Sequence, residues 1–153
     1  MCNEVYNNIL PLVFKDGQRL KLYKFGIFII DDIVEHLGYN LYGNKWKEIL
    51  DILIKFTLHD KFFLRHAAVW GIGKFCENTP NEIFVNYKDL IYEILIKAYN
   101  IPKGKEKKRL YDSQRDNIIS ALGRYIKFQF PVIDTNVALV SWLDMLPLIE
   151  DDE

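Results

Sequence analysis

The chain has 153 residues, half of them hydrophobic and 27% charged, with a formal net charge of −1. This composition excludes a disordered polypeptide and fits one ordinary folded domain. The near-neutral balance leaves no global field to draw the chain to nucleic acid or to an anionic membrane. Two cysteines, Cys2 and Cys76, are too few for a disulfide framework and lack metal-ligand spacing. Both read as reduced thiols of a cytosolic or nuclear protein. No apolar run reaches the roughly 18 residues of a transmembrane helix, and Met1-Cys2-Asn3-Glu4 does not begin a secretory signal.

In chain order, Glu4 to Phe14 carries apolar Val5, Ile9, Leu10 and Val13, with Pro11 expected to end or kink the helix. Lys15-Asp16-Gly17 is a break. Gln18 to Leu37 reads as a long helix with Leu22, Phe25, Ile29, Ile33 and Leu37 on its stripe, closed by Gly38. Asn44 is placed to cap the next helix, whose inner face is Trp46, Ile49, Leu50, Leu53 and Phe56/Thr57. Asp60 is placed to cap a helix over Lys61 to Glu77, with Leu64, Ala68, Gly71/Ile72 and Phe75 inward and Asn78-Thr79-Pro80 as its stop. Tyr87, Leu90, Ile91, Ile94, Leu95 and Ala98 mark another amphipathic helix, stopped by Pro102. Lys103 to Leu110 is a charged loop, and Asp112 to Gln129 is a long helix ended by Pro131. Asn136 or Thr135 then caps a last helix with Val137, Val140, Leu143 and Leu146 on one stripe, ended by Pro147.

Two of these helices repeat each other. Arg65-His66-Ala67-Ala68-Val69-Trp70-Gly71-Ile72-Gly73-Lys74-Phe75 aligns with Arg115-Asp116-Asn117-Ile118-Ile119-Ser120-Ala121-Leu122-Gly123-Arg124-Tyr125, an offset of 50 residues. A fainter copy runs from Lys24 to Val34, 41 residues before Arg65. Helical self-similarity at about 40–47 residues is the mark of HEAT-type repeats, and the extra length falls in the loop Pro102 to Tyr111. The expected fold is all-α, a right-handed HEAT-repeat superhelix of antiparallel helix pairs, forming a single array over 1–153. Its expected parts are a partial helix at 1–14 and about three repeats at 17–59, 60–101 and 111–148. Both ends read as cuts through a longer array.

One hairpin cannot bury its own apolar face, so stacked neighbours must do it. Glycine inside a helix costs about 1 kcal/mol relative to alanine, so Gly71, Gly73 and Gly123 are expected where a neighbouring helix comes close. Ala68 and Ala121 belong to the same packing set. Arg65 and Arg115 are expected to form a ladder with acidic groups, Asp60 and Asp112 being the candidates, or else to contact a ligand.

No phosphate loop, nucleophile elbow, zinc-binding helix or paired CxxC is present in the sequence, which argues against an enzyme and implies no catalytic, cofactor-binding or metal-binding residue. His36, His59 and His66 are isolated and read as surface or half-buried residues. Asp31, Asp32 and Glu35 are the densest acidic cluster: a solvated helix end, or a small acidic patch for a basic partner. Glu150 and Asp151, in the tail Glu150-Asp151-Asp152-Glu153, read either as frayed and solvated or as an acidic contact for basic cargo. Lys103 to Arg109 holds five cations and one glutamate, a solvated loop or a contact for an acidic protein or nucleic acid; no aromatic interleaves to supply base stacking. Trp46, Trp70 and Trp142 read as packing residues, with a ligand platform as the alternative.

Four segments together resemble the importin-β (karyopherin-β) nuclear transport receptors, nearest the C-terminal part of the importin β-3 branch. Phe28-Ile29-Ile30-Asp31-Asp32-Ile33-Val34-Glu35 resembles its hydrophobic-Asp-Asp-hydrophobic-hydrophobic-Glu segment. Arg65 to Gly73 resembles its Arg-x-Ala-Ala-x-x-Gly-x-Gly helix, and Asp116 to Lys127 its Asp-Asn-x-x-x-Ala-x-Gly helix. Trp142-Leu143-Asp144-Met145-Leu146-Pro147-Leu148 with Glu150-Asp151 resembles its Trp-Leu-x-x-Leu-Pro-Leu-x-Glu-Asp segment. The resemblance implies a monomeric section of a longer nuclear import receptor, found in cytoplasm and nucleus and at the nuclear pore. It implies binding of protein cargo with basic nuclear localisation signals, of Ran-GTP and of Phe-Gly nucleoporins through the whole arch, without cofactor, nucleic acid or membrane. Phe-Gly peptides are expected to wedge between neighbouring long helices. A HEAT scaffold in another multiprotein complex is the alternative, since repeat architecture does not fix function. A nucleic-acid-binding repeat protein, motivated by Lys103 to Arg109, is a third.

Overall fold

The computed structural model describes residues 4–38 and 45–147, and among these every regular element is helical. A π-helical turn, Val5–Ile9, leads into α1 (Leu10–Val13). Then follow α2 (Leu20–Leu37), α3 (Lys45–Thr57), α4 (Phe62–Asn78), α5 (Asn81–Phe84), α6 (Lys88–Tyr99), α7 (Lys108–Gln129) and α8 (Thr135–Met145). No described helix is long and apolar enough to cross a membrane.

The centre of the molecule is α4. Its residues Leu64, Ala67, Ala68, Val69, Gly71, Ile72, Gly73, Phe75 and Cys76 are all buried, and they point in every direction around the helix axis. A helix apolar all round needs neighbours all round, and α4 has them: α2 and α7 pack along it, and α3 adds a third contact. The shorter α6 and α8 pack on α7. This arrangement is compatible with a stack of helical pairs.

Small residues set the spacing. A Cβ on Gly71 would lie 2.6 Å from Leu53 of α3 and would collide with the Asp31 carboxylate of α2. A Cβ on Gly73 would lie 2.9 Å from the Arg124 guanidinium and 3.5 Å from the Ala121 Cα, both of α7. The aligned pair Gly73 and Gly123 thus face forward along the chain, since Gly123 meets the Trp142 indole of α8 at 3.3 Å. The pair Gly71 and Ala121 face backward.

Several expected details are corrected. Pro11 does not break a helix; it sits in the first turn of α1, where a missing N–H costs nothing. The stripe assigned to the second helix is rotated: Leu22 and Phe25 are exposed, Phe25 by 61%, and the buried face is Gly26, Ile27, Ile30, Asp31, Ile33 and Val34. Gly26 fixes that rotation, because a Cβ there would lie 2.5 Å from Val13 and 2.6 Å from the Phe14 ring. Leu90, expected inward, is exposed. The last helix is rotated too. Val137, Val140, Leu143 and Leu146 are exposed, while Ala138 is buried and Trp142 is anchored by its indole Nε1–H donating to the Ile119 carbonyl at 3.0 Å.

Asp60 does not cap α4, which starts after Lys61 without a side-chain cap. Asp134, not Thr135 or Asn136, caps α8 by accepting from the Val137 N–H. The long helix α7 begins at Lys108, inside the charged loop, and α5 was unforeseen. Gly38 follows α2 but in right-handed conformation; its small size matters instead, because a Cβ would lie 3.2 Å from the Trp46 ring. Gly17 does need its freedom, with φ at +83° in the expected break. The faces of α3 and α4 are as expected, with Trp46, Ile49, Leu50, Leu53, Phe56, Leu64, Ala68, Ile72 and Phe75 buried. Asn44 lies outside the described residues.

Candidate protein-binding surfaces

The acidic cluster does not form one patch. Asp31 is only 5% exposed, buried between α2 and α4, and neither of its oxygens has a hydrogen-bond partner. Burial, reinforced by the nearby Asp32 and Glu35 charges, pushes its carboxyl up to about 8, against a smaller opposing effect of Lys74. A carboxylic acid in such surroundings keeps its proton at neutral pH. Both surface readings therefore fail for Asp31: helix rotation around Gly26 turned it inward. Asp32 remains exposed. Glu35 is engaged with Lys74 at 2.7 Å, and that hydrogen bond holds its carboxyl below the usual range. Glu150 and Asp151 lie outside the described residues.

A charge ladder does cross the long helices, at other residues than expected. Glu35 of α2 meets Lys74 of α4; Lys74 lies 3.5 Å from Glu77; Glu77 lies 3.6 Å from Arg124 of α7. The Arg124 guanidinium stacks over the Trp70 ring at 4.4 Å, and Lys74 sits 5.4 Å from the same ring. The signal was in the sequence, since Lys74 and Arg124 occupy aligned positions.

The aligned arginines do something else. Arg65 donates to the His59 and Asp60 carbonyls at 2.9 and 3.1 Å and pairs with the Glu106 carboxylate at 2.7 Å. Arg115 stacks 4.4 Å over the Tyr99 ring and donates to its hydroxyl. Each arginine thus ties a long helix to the segment just after or at the end of the preceding shorter helix. The expected carboxylate partners are corrected: Asp60 offers Arg65 its carbonyl, and Asp112 pairs with Lys108 at 2.5 Å. Two amides also stitch α7 to α4. Asn117 donates to the His66 carbonyl at 2.8 Å, and buried Gln129 donates to the Cys76 and Thr79 carbonyls, satisfying the end of α4.

Several grooves open on this framework among the described residues, three of them relevant to binding. One of about 380 Å³ lies between α2 and α4, lined by Lys24, Phe28, Phe62, Phe63, His66, Ala67 and Trp70. A second, about 610 Å³, runs between α7 and α8 past Ile119, Gly123, Leu139, Trp142 and Leu146, with Lys74, Arg124 and Lys127 adding charge. A third, about 510 Å³, joins the start of α4 to the loop before α7. Sequence reading missed the first because its aromatics come from two helices and fall off both expected inward stripes.

Among the described residues no cluster of His, Cys, Asp and Glu is arranged to hold a metal ion. Cys76 is fully buried, and burial pushes its thiol well up, so it is no nucleophile as folded. No known protein-family model matches the chain. The grooves themselves are apolar with charged margins.

Proposed function

We propose that the chain is a HEAT-type helical-repeat section of a nuclear transport receptor and works by binding protein segments. The observation that carries this reading is the groove between α2 and α4. Two neighbouring long helices leave an aromatic-lined slot there, containing Phe28, Phe62, Phe63 and Trp70. Slots of this size accept one or two side chains of a ligand, with aromatic walls supplying apolar contact area. A phenylalanine followed by glycine suits it: the ring enters, and glycine lets the peptide backbone approach the helices. The four ordered sequence motifs support the assignment to transport receptors, and the Glu35–Lys74–Glu77–Arg124 ladder supports a stack whose neighbouring long helices are joined by part-buried ion pairs. Cargo and Ran-GTP binding belong to the longer receptor of which this section would be part.

Titrating isotope-labelled protein with a Phe-Gly repeat peptide, against a Ser-Gly control, tests the reading. Amide shifts are expected at Phe28, Phe62, Phe63 and Trp70 with the first peptide only. Absence of those shifts refutes it.

A scaffold role in a different multiprotein complex is the second reading. It is favoured by the exposed Val137, Val140 and Leu143 stripe on α8, an apolar face of the kind that packs against another protein. Tight, stoichiometric binding to another assembly without any response to Phe-Gly peptides distinguishes it.

A further inference from the structure

We propose that the start of α4 and the loop over residues 100–107 form a docking groove for an acidic peptide segment of another protein, one that also carries apolar side chains. The groove, about 510 Å³, takes its apolar lining from Phe62, Phe63, Ile101 and Pro102, and Lys61 and Lys105 lie along it. From the sequence alone this lysine-rich loop reads as solvated or as a contact for an acidic protein or nucleic acid. In the fold it is fastened. Glu106 pairs with Arg65 at 2.7 Å, with side chains only 16% and 8% exposed, and Arg65 is itself held by the His59 and Asp60 carbonyls. The Arg65 hydrogen bond holds the Glu106 carboxyl below its usual range, so the latch stays charged at neutral pH.

The consequence is a loop held at Glu106 with exposed cations on either side of it. Lys103, Lys105 and Lys107 flank the latch and are exposed, as is Lys61 at the start of α4. Lys108, the next residue along, is instead neutralised by Asp112. Glu106 is neutralised by Arg65, which leaves Asp60 as the acidic group among the groove residues. A chain with a net charge of −1 therefore places Lys61 and Lys105 along an apolar slot, with exposed Lys103 and Lys107 in the same loop. The complementary ligand has carboxylates at its edges and one or two apolar side chains between them. Fixing the loop in advance lowers the ordering cost of binding. Nucleic acid fits less well. The Phe62 ring is already packed on His66 at 5.4 Å, and Ile101 and Pro102 offer no stacking face, which leaves Phe63 alone in the lining to stack a base.

The test is fluorescence anisotropy on the full chain with a labelled peptide of alternating glutamate, leucine and phenylalanine. The comparison probes are the same peptide with glutamine for glutamate and a labelled oligothymidylate. Saturable binding of the acidic peptide alone is expected. The combined K103Q, K105Q and K107Q variant, altered only at exposed side chains, is expected to weaken it about tenfold, by the sum of three surface charge contacts. E106Q separates a built groove from a diffuse positive cloud. It adds positive charge yet releases the latch, so affinity is expected to fall. Binding equal to that of the glutamine peptide, stronger binding to the oligothymidylate, an unchanged triple-lysine variant, or tighter binding by E106Q would each overturn the proposal.

Discussion

Replacing Asp31 with asparagine makes the sharpest stability test. The side chain is buried against Gly71, its oxygens lack partners, and its carboxyl is pushed up from 3.8 to about 8. Between those two values the unfolded chain has lost the proton and the folded chain has kept it. The unfolded state then binds fewer protons, so stability falls as pH rises. Each pH unit inside the window costs about 1.4 kcal/mol. Across the whole window the loss is on the order of 5 kcal/mol, comparable with the total stability of many domains. Below pH 4 both states are protonated, and above pH 8 both are ionised, so the contribution is flat outside it. The charged groups acting on Asp31 are Asp32 and Glu35 from its own helix and Lys74 from α4. Asparagine keeps the shape and has no proton to lose. Urea unfolding followed by tryptophan fluorescence, at pH steps from 4 to 9, should show the Asp31→Asn advantage growing through the window and levelling near pH 8. Parallel stability curves for the two proteins would refute the buried neutral acid.

Other expectations follow from the same contacts. Gly71→Ala places a methyl against Asp31 and Leu53 and should destabilise by about 1–3 kcal/mol, seen as a lowered thermal midpoint. Gly123→Ala meets the Trp142 ring at 3.3 Å, its nearest contact, and should cost less in the same scan. Arg65→Met removes the partner of the part-buried Glu106 carboxylate, and urea unfolding should report a loss of about 1–3 kcal/mol, with part recovered by adding Glu106→Leu. In a Cys2→Ser background, Cys76 should resist a thiol reagent as folded and react fully in denaturant; prompt labelling without denaturant would contradict its burial.

The longer helices, the faces of α3 and α4 and the close approaches at Gly71, Gly73 and Gly123 were legible in the sequence, though not the short α5 or the close approach at Gly26, because local periodicity and the cost of glycine in a helix act within one or two turns. The aligned Lys74 and Arg124 also announced a repeated contact, though not its partners. Rotation of the outer helices was not legible. Both α2 and α8 carry apolar residues on more than one side, so their sequences allow several rotations of similar burial. Contacts distant in sequence chose between them: Val13 and Phe14 over Gly26 for α2, and Trp142 reaching the Ile119 carbonyl for α8. That choice turned Asp31 from a surface acid into a buried one and left Val140 outside. Only the packed helices could bring Glu106 to Arg65, 41 residues earlier, because an ion pair between distant segments depends on where the chain returns, which periodicity does not encode.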